Sequence, residues 1–360
     1  MMNVLILFTN NALALNILRC LAPLGVKCYL FGEGNTSPVS LSKFCKQCIP
    51  FKFTRDEKPA QEDIDAINKY CVDKKISCIF PADCETAIFL ARIKHRLAPG
   101  VKTIPLMDAP TLVALDDKWE FEQILRKFNL PGPRTFKAEN LEELKAIDLP
   151  FPRVVKPIRG GSRWLTGGDV GEYIKKDMPA YLAGGQDPRV YPLLVQEFIS
   201  GYDVDLSILA FKGKIVAYTI QKWAGGDRIE FLNLPQLFEL GRRFSADLKF
   251  EGIAHFDLRY DNRDGLIKFI ECNPRFWGTL RASMWEGVNF PELALDLAMG
   301  KPAKEQNVPR QITYVLPAKI LARLFKGDLS ALKGLPDSSK NDLWQLLGDP
   351  LSCIYSVLHR

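Results

Sequence analysis

Two runs of alternating residues, Ala-His-Phe-Asp-Leu-Arg-Tyr (254–260) and Leu-Ile-Lys-Phe-Ile-Glu (266–271), flank the turn-forming stretch Asp-Asn-Arg-Asp-Gly (261–265). Alternation on both sides of a turn specifies a β-hairpin. The second strand closes with Glu271-Cys272-Asn273-Pro274-Arg275. Residues two apart on a strand share a face, so Glu271 and Asn273 project together while Cys272 turns away. Two hard oxygen donors on one face suit a cation such as Mg²⁺. An ordinary reading stands beside this one, since Asn-Pro is a common turn signal and Glu271 can pair with Arg275. If Tyr260 pairs with Leu266, Asp257 faces Phe269 and lies diagonal to Glu271, about 7–8 Å away between backbones. A slip of one residue sends Asp257 to the other face.

The chain has 360 residues, 47% of them hydrophobic and 25% charged, which is globular composition with room for two or three cores. The net charge of +6 is mild, and Lys and Arg form no runs, so a dedicated nucleic-acid binder is not expected. The opening Met-Met-Asn-Val-Leu-Ile-Leu-Phe lacks a basic leader and breaks at Thr9 to Asn11, the pattern of a strand rather than a signal peptide. No stretch approaches the ~18 apolar residues of a transmembrane helix. A cytoplasmic location is expected, and there the nine cysteines are packing thiols by default. Cys45-Lys-Gln-Cys48 has metal or redox spacing but lacks the second close pair of a zinc ribbon.

Asn3 to Phe8, the apolar stretch Ala12 to Leu24, and Val26 to Phe31 read as strand, helix and parallel strand. A similar unit follows, with helices over Ile64 to Lys74 and Cys84 to Arg96 around a strand at Ile76 to Phe80. Pro81-Ala-Asp-Cys-Glu85 sits at the strand's carboxyl end, where open α/β sheets bind ligands. The turn Thr9-Asn-Asn-Ala12 carries no G-x-G-x-x-G fingerprint, which argues against a dinucleotide there. Residues 1–109 are therefore expected to form a small doubly wound parallel-sheet domain. A charged helix over Leu115 to Leu130 opens a second domain, with strands at Arg153 to Lys156, Leu193 to Glu197, Asp203 to Phe211 and Lys214 to Gln221 before the hairpin. That domain is expected over 110–305. Residues 306–360 read as a helical extension, with amphipathic pieces at Pro317 to Phe325 and Leu343 to Leu347 that pack on the body or touch a partner.

Two further stretches carry candidate chemistry. In Val154-Val-Lys-Pro-Ile-Arg-Gly-Gly-Ser-Arg163, a strand ends in Lys156 and a glycine-rich loop follows, whose N–H groups can cradle phosphate oxygens. It reads equally as a flexible hairpin with a surface lysine. In Gln196-Glu-Phe-Ile-Ser-Gly-Tyr-Asp203, backbone groups at Glu197 and Ile199 can read an adenine edge and Asp203 can accept from ribose hydroxyls, with Phe198 and Ile199 otherwise plain core residues.

The order of these pieces resembles the ATP-grasp superfamily: Asp117-Lys118 on a helix, Lys156-Pro157 before a glycine-rich loop, the Gln196 to Gly201 strand, then Asp257 with Glu271-x-Asn273-Pro-Arg275. Among its members the chain looks most like the carbamoyl-phosphate-synthase-like and carboxylate–amine ligase branch. The resemblance implies an α+β ATP-grasp module behind a companion α/β domain. It places Lys118 and Lys156 on ATP phosphates, Gly160, Gly161 and Ser162 in the loop that closes over them, Glu197 and Ile199 at the adenine, and Asp203 at the ribose. It makes Asp257, Glu271 and Asn273 ligands of Mg²⁺, with Mn²⁺ as a substitute, and Arg275 the partner of the transferred phosphoryl group or a substrate carboxylate. The implied partners are a small carboxylate and an amine, in a chain for which homo-oligomers are compatible. Lys222, Arg228, Arg259 and His255 are candidates for the substrate side, Arg259 and His255 because they alternate onto the Asp257 face.

Overall fold

The computed structural model describes residues 2–150, 152–158, 164–166, 191–225, 227–302 and 313–358. Fifteen strands are assigned among them: β1 (Asn3–Phe8), β2 (Lys27–Gly32), β3 (Cys45–Pro50), β4 (Ile76–Pro81), β5 (Lys102–Thr103), β6 (Thr135–Ala138), β7 (Arg153–Pro157), β8 (Trp164–Thr166), β9 (Leu193–Glu197), β10 (Gly201–Phe211), β11 (Lys214–Trp223), β12 (Arg228–Phe231), β13 (Gly252–Asp261), β14 (Ile267–Asn273) and β15 (Thr313–Val315). They form a five-stranded sheet ordered β3-β2-β1-β4-β5, a four-stranded sheet ordered β6-β9-β7-β8, and a six-stranded sheet ordered β14-β13-β10-β11-β12-β15. Every pairing in the first sheet is parallel, as the strand–helix–strand rhythm of the sequence requires. The pairings β6–β9, β7–β8 and β7–β9 in the second are antiparallel.

Compact packing groups 1–112, 205–255 and 273–360 into one unit and 113–204 with 256–272 into another. This division cuts across the three consecutive domains read from the sequence. Within the first unit, Ile6, Phe8, Leu18 and Cys78 of the parallel sheet and its helix share a core with Phe276, Trp277, Leu280 and Phe290. Asn16 donates to the Gly278 carbonyl at 2.9 Å and Asn289 to the Cys20 carbonyl at 2.9 Å. The helical stretch near the carboxyl terminus joins the same unit. Arg19 donates to Asp349 Oδ2 at 3.0 Å, and the same carboxylate accepts from Ser42 Oγ and the Lys43 N–H, each at 2.8 Å. That stretch is not wholly helical, because β15 pairs with β12 before the helices begin.

The turn after β1 explains why no dinucleotide fingerprint is needed. Asp83 Oδ2 accepts from the N–H groups of Thr9 at 2.6 Å and Asn10 at 3.0 Å, so a carboxylate of the protein sits where a ligand phosphate would otherwise collect donors. Asp83 also caps the helix Cys84–Ile93 by exchanging bonds with Thr86. The segment 81–85 is thus closed on itself. Cys45 and Cys48 lie in an edge strand, not at a helix start, and burial pushes both thiols up, Cys45 to about 12. All nine cysteines are free thiols, consistent with packing roles.

Candidate active site

The site begins with a helix break. The sequence reads as one helix over 115–130, but Asp117 leaves helical geometry and its side chain accepts from the N–H groups of Trp119 and Glu120, capping a new helix, Lys118–Lys127. Lys118 consequently occupies the first helical position, and its own N–H donates to the Ile158 carbonyl at 3.2 Å. Phe121, one turn on, packs against Phe256 and Phe269, with ring centroids 6.3 and 6.2 Å away. Lys118 Nζ, on the same helix face, lies 3.4 Å from Glu271 Oε1. Lys156 reaches the neighbouring residue, its Nζ donating to the Ile270 carbonyl at 3.5 Å. Both lysines are buried, at 7% and 5% exposure. A buried ammonium is costly without compensation. Lys118 and Lys156, 153 (271 − 118) and 114 positions away in sequence, therefore reach adjacent residues, Glu271 and Ile270, near the end of β14.

The hairpin turn corrects one expectation. Asp261 N–H donates to the Leu266 carbonyl and Gly265 N–H to the Asp261 carbonyl, each at 2.8 Å, with Gly265 at φ +72°. This is a bulge with glycine in the left-handed region, and it sets Leu266 opposite Asp261 instead of Tyr260. The rings confirm the shift: Phe256 packs edge-on to Phe269 at 5.3 Å, on the face that Glu271 shares. Asp257 accordingly faces away from Glu271 and shares its side of β13 with His255. His255 belongs to the core rather than to a substrate surface. Its Nδ1 lies 2.8 Å from Ser207 Oγ and its ring stacks on Trp277 at 5.4 Å.

The strand Leu193–Glu197 and the turn after it are tightly tied down. Glu197 N–H donates to the Arg134 carbonyl and its Oε1 accepts from the Arg134 N–H, both at 3.0 Å. Its carboxylate also pairs with Arg263 at 3.4 Å and Lys268 at 3.8 Å. Those two cations hold the buried Asp261 carboxyl well below the usual carboxylate range, chiefly through its hydrogen bonds with Arg263. Arg259, a candidate for the substrate side, instead donates to the carbonyls of Ile199 at 2.6 Å and Gly201 at 2.8 Å and pairs with Asp203. The sequence reading missed these bonds, although Gly201 followed by an acid was the available signal.

In the other unit, Arg275 folds back over its own turn. Its Nη2 donates to Asn273 Oδ1 at 2.8 Å and its Nη1 to the Phe276 carbonyl at 2.9 Å. A carboxamide oxygen has two lone pairs, so the bond leaves capacity for a cation. The carboxylate of Glu271 and the carboxamide of Asn273, two apart on β14, are the donor chemistry that Mg²⁺ takes. Lys222 pairs with Glu230 at 3.1 Å, and Arg228 lies on β12 opposite Val315. Gly160, Gly161 and Ser162 lie outside the described residues.

A family model described as "ATP-grasp in the biosynthetic pathway with Ter operon" matches residues 189–319. The carbamoyl phosphate synthase large chain of Methanothrix thermoacetophila is 24% identical over 266 residues, which cover 66% of this chain and 24% of that protein. The chain thus spans about a quarter of that relative. Among solved structures, the L-amino acid ligase from Bacillus licheniformis superposes with a TM-score of 0.59 at 19% identity, over 83% of this chain and 74% of that one. The ADP complex of PurK, an N5-carboxyaminoimidazole ribonucleotide synthetase, superposes with a TM-score of 0.66 at 13% identity, over 91% and 85%. Over residues 189–319 the chain is thus similar in sequence to ATP-grasp proteins, and over most of its length it shares the fold of ATP-grasp ligase structures.

Proposed function

We propose that the protein is an ATP- and Mg²⁺-dependent ligase that activates a small carboxylate as an acyl phosphate for attack by an amine or other nucleophile. The observation that carries this reading is the convergence of Lys118 and Lys156 on the Ile270–Glu271 end of β14. One buried ammonium beside the Glu271 carboxylate and a second at the neighbouring Ile270 carbonyl would offer positive charge to phosphates once Glu271 takes a metal instead. In the proposal Lys118 and Lys156 bind and orient the ATP phosphates, and Glu197 and Ile199 border the adenine. Gly160, Gly161 and Ser162 belong to the covering loop. Glu271 and Asn273 hold Mg²⁺, or Mn²⁺ in its place, which when bound neutralises phosphate charge during transfer. Asp257 is the third candidate ligand, although its strand face argues against it. Arg275, now bonded to Asn273, is proposed to turn to the phosphoryl group or the substrate carboxylate. A carboxylate is a poor electrophile, and phosphorylation supplies its leaving group.

The activities of the L-amino acid ligase and N5-carboxyaminoimidazole ribonucleotide synthetase neighbours support a carbon–nitrogen bond-forming reaction. Among the described residues no helix is long and apolar enough to cross a membrane, and free cysteines suit a reducing compartment such as the cytoplasm. The test is incubation of pure protein with ATP, Mg²⁺ and mixed pools of carboxylates and amines, following phosphate release and the mass of new products. Phosphate release that requires one carboxylate, with a condensed product, is expected. Tight ATP binding with no release under any pool supports the alternative, an ATP-binding regulatory module.

A further inference from the structure

The turn between β9 and β10 is fastened to the end of β13 by four separate contacts within one compact unit. The first is the Arg259 fork, with Nε on the Ile199 carbonyl, Nη2 on the Gly201 carbonyl and Nη1 on Asp203 Oδ1. The same guanidinium lies 5.6 Å from the centre of the Phe198 ring. The second is close approach: a Cβ on Gly201 would stand 1.8 Å from the Tyr260 carbonyl oxygen, so only glycine fits. The third is the Asn262 N–H, which donates to the Ser200 carbonyl at 2.7 Å. The fourth is Tyr202, stacked on Tyr260 with ring centroids 5.0 Å apart and planes 19° from parallel. Such density of contact on the turn and the first residues of β10 exceeds what chain reversal needs.

We infer that Arg259 is a positioning residue for nucleotide binding, which fixes the 199–203 turn and holds the Asp203 carboxylate so that the site prefers a ribonucleotide over its 2′-deoxy counterpart. The inference rests on the ATP-binding reading above. A planar guanidinium can serve two carbonyls and a carboxylate at once because its donors form a fixed fork. Two of its bonds define the backbone path from Ile199 to Gly201. The third draws Asp203 by one oxygen while the side chain stays 48% exposed, directed to solvent on the turn that would border the sugar. Without the fork, Asp203 is a mobile surface acid. A hydroxyl acceptor discriminates sharply only when it is held in place before the ligand arrives.

The experiment compares wild type with Arg259→Met, Arg259→Lys and Asp203→Asn by calorimetric titration with Mg²⁺-ATP and Mg²⁺-2′-deoxyATP. Hydrogen exchange of the nucleotide-free proteins reports the turn itself. Wild type is expected to prefer ATP by about tenfold, the scale of one charge-assisted hydrogen bond. In Arg259→Met that preference should collapse to within about twofold of unity, and amides 200–203 should exchange at least about tenfold faster while those of β9 keep their protection. Arg259→Lys retains charge without the fork and should fall with Arg259→Met in preference, so a poorly folded Met variant does not decide the matter. An unchanged ATP preference in both Arg259 variants overturns the inference while leaving ATP binding intact. A wild type that binds neither nucleotide overturns the ATP reading and the inference with it.

Discussion

Asp349→Ala tests how firmly the helical stretch near the carboxyl end is built into the first compact unit. Asp349 is 1% exposed and its carboxylate accepts from Arg19, Ser42 Oγ and the Lys43 N–H. The Arg19 side chain is 7% exposed, so alanine strands a buried guanidinium together with a hydroxyl and an amide. Removing one member of a buried ion pair costs about 3–5 kcal/mol, because the surviving charge is left uncompensated. The neutral donors find new partners or water more cheaply, so that range already includes most of the loss. For a unit of this size it corresponds to a fall in melting temperature of roughly 6–20 °C. Scanning calorimetry of the purified variant measures it, with Arg19→Met/Asp349→Leu as the comparison in which both charges are gone. The double variant should recover most of the loss. A fall of less than about 3 °C for Asp349→Ala would refute the reasoning, since it would mean that the carboxylate carries no uncompensated partner.

Glu271→Gln and Asn273→Ala should each abolish most phosphoryl transfer while circular dichroism stays native, and wild-type turnover in either would sink the metal assignment. Asp257→Asn should retain more turnover than either, because Asp257 lies on the opposite face of β13; equal loss would restore it as a ligand. Chromatography of spent nucleotide should show ADP, and stoichiometric AMP would mean adenylation. The depressed Asp261 carboxyl contributes stability that is fully present above its unfolded pKa of about 3.9 and is lost as pH falls through the lower folded value. Urea midpoints should therefore drop between about pH 4 and pH 2, and Asp261→Asn should remove that share of the drop.

Much of the strand pattern was legible. The alternation in 254–271 forecast β13 and β14 to within a few residues, because antiparallel strands leave a period of two, and the strands read at 203–211 and 214–221 match β10 and β11. The alternating α/β rhythm likewise forecast the first sheet. What the sequence concealed were departures set by single side chains. Asp117 reads as one charge in a charged helix, yet it breaks that helix and delivers Lys118 to Glu271. Gly265 reads as generic turn chemistry, yet its left-handed backbone moves the hairpin pairing by one residue and turns Asp257 over. β3 was hidden beneath a cysteine spacing, and β15 within a segment that looked helical. Lys118, Lys156 and Glu271 were named from their order along the chain, and their proximity became visible only in three dimensions. The contacts of Arg259 were hidden as well, since its three acceptors include two backbone carbonyls that no residue pattern marks.

The core that surrounds β1 also has a history in time. Leu18 and Phe8 pack with Trp277, Leu280 and Phe290, and Arg19 meets its counter-charge at Asp349. During synthesis, some 260 residues separate the first helix from the aromatic residues that finish its core (277 − 16 = 261 for Asn16 and Trp277), and 330 separate Arg19 from Asp349. At about 5–20 residues per second, the early strands wait well over ten seconds on the ribosome with one face uncovered. The apolar surface of the nascent first unit is thus expected to be covered only when the distant helices arrive.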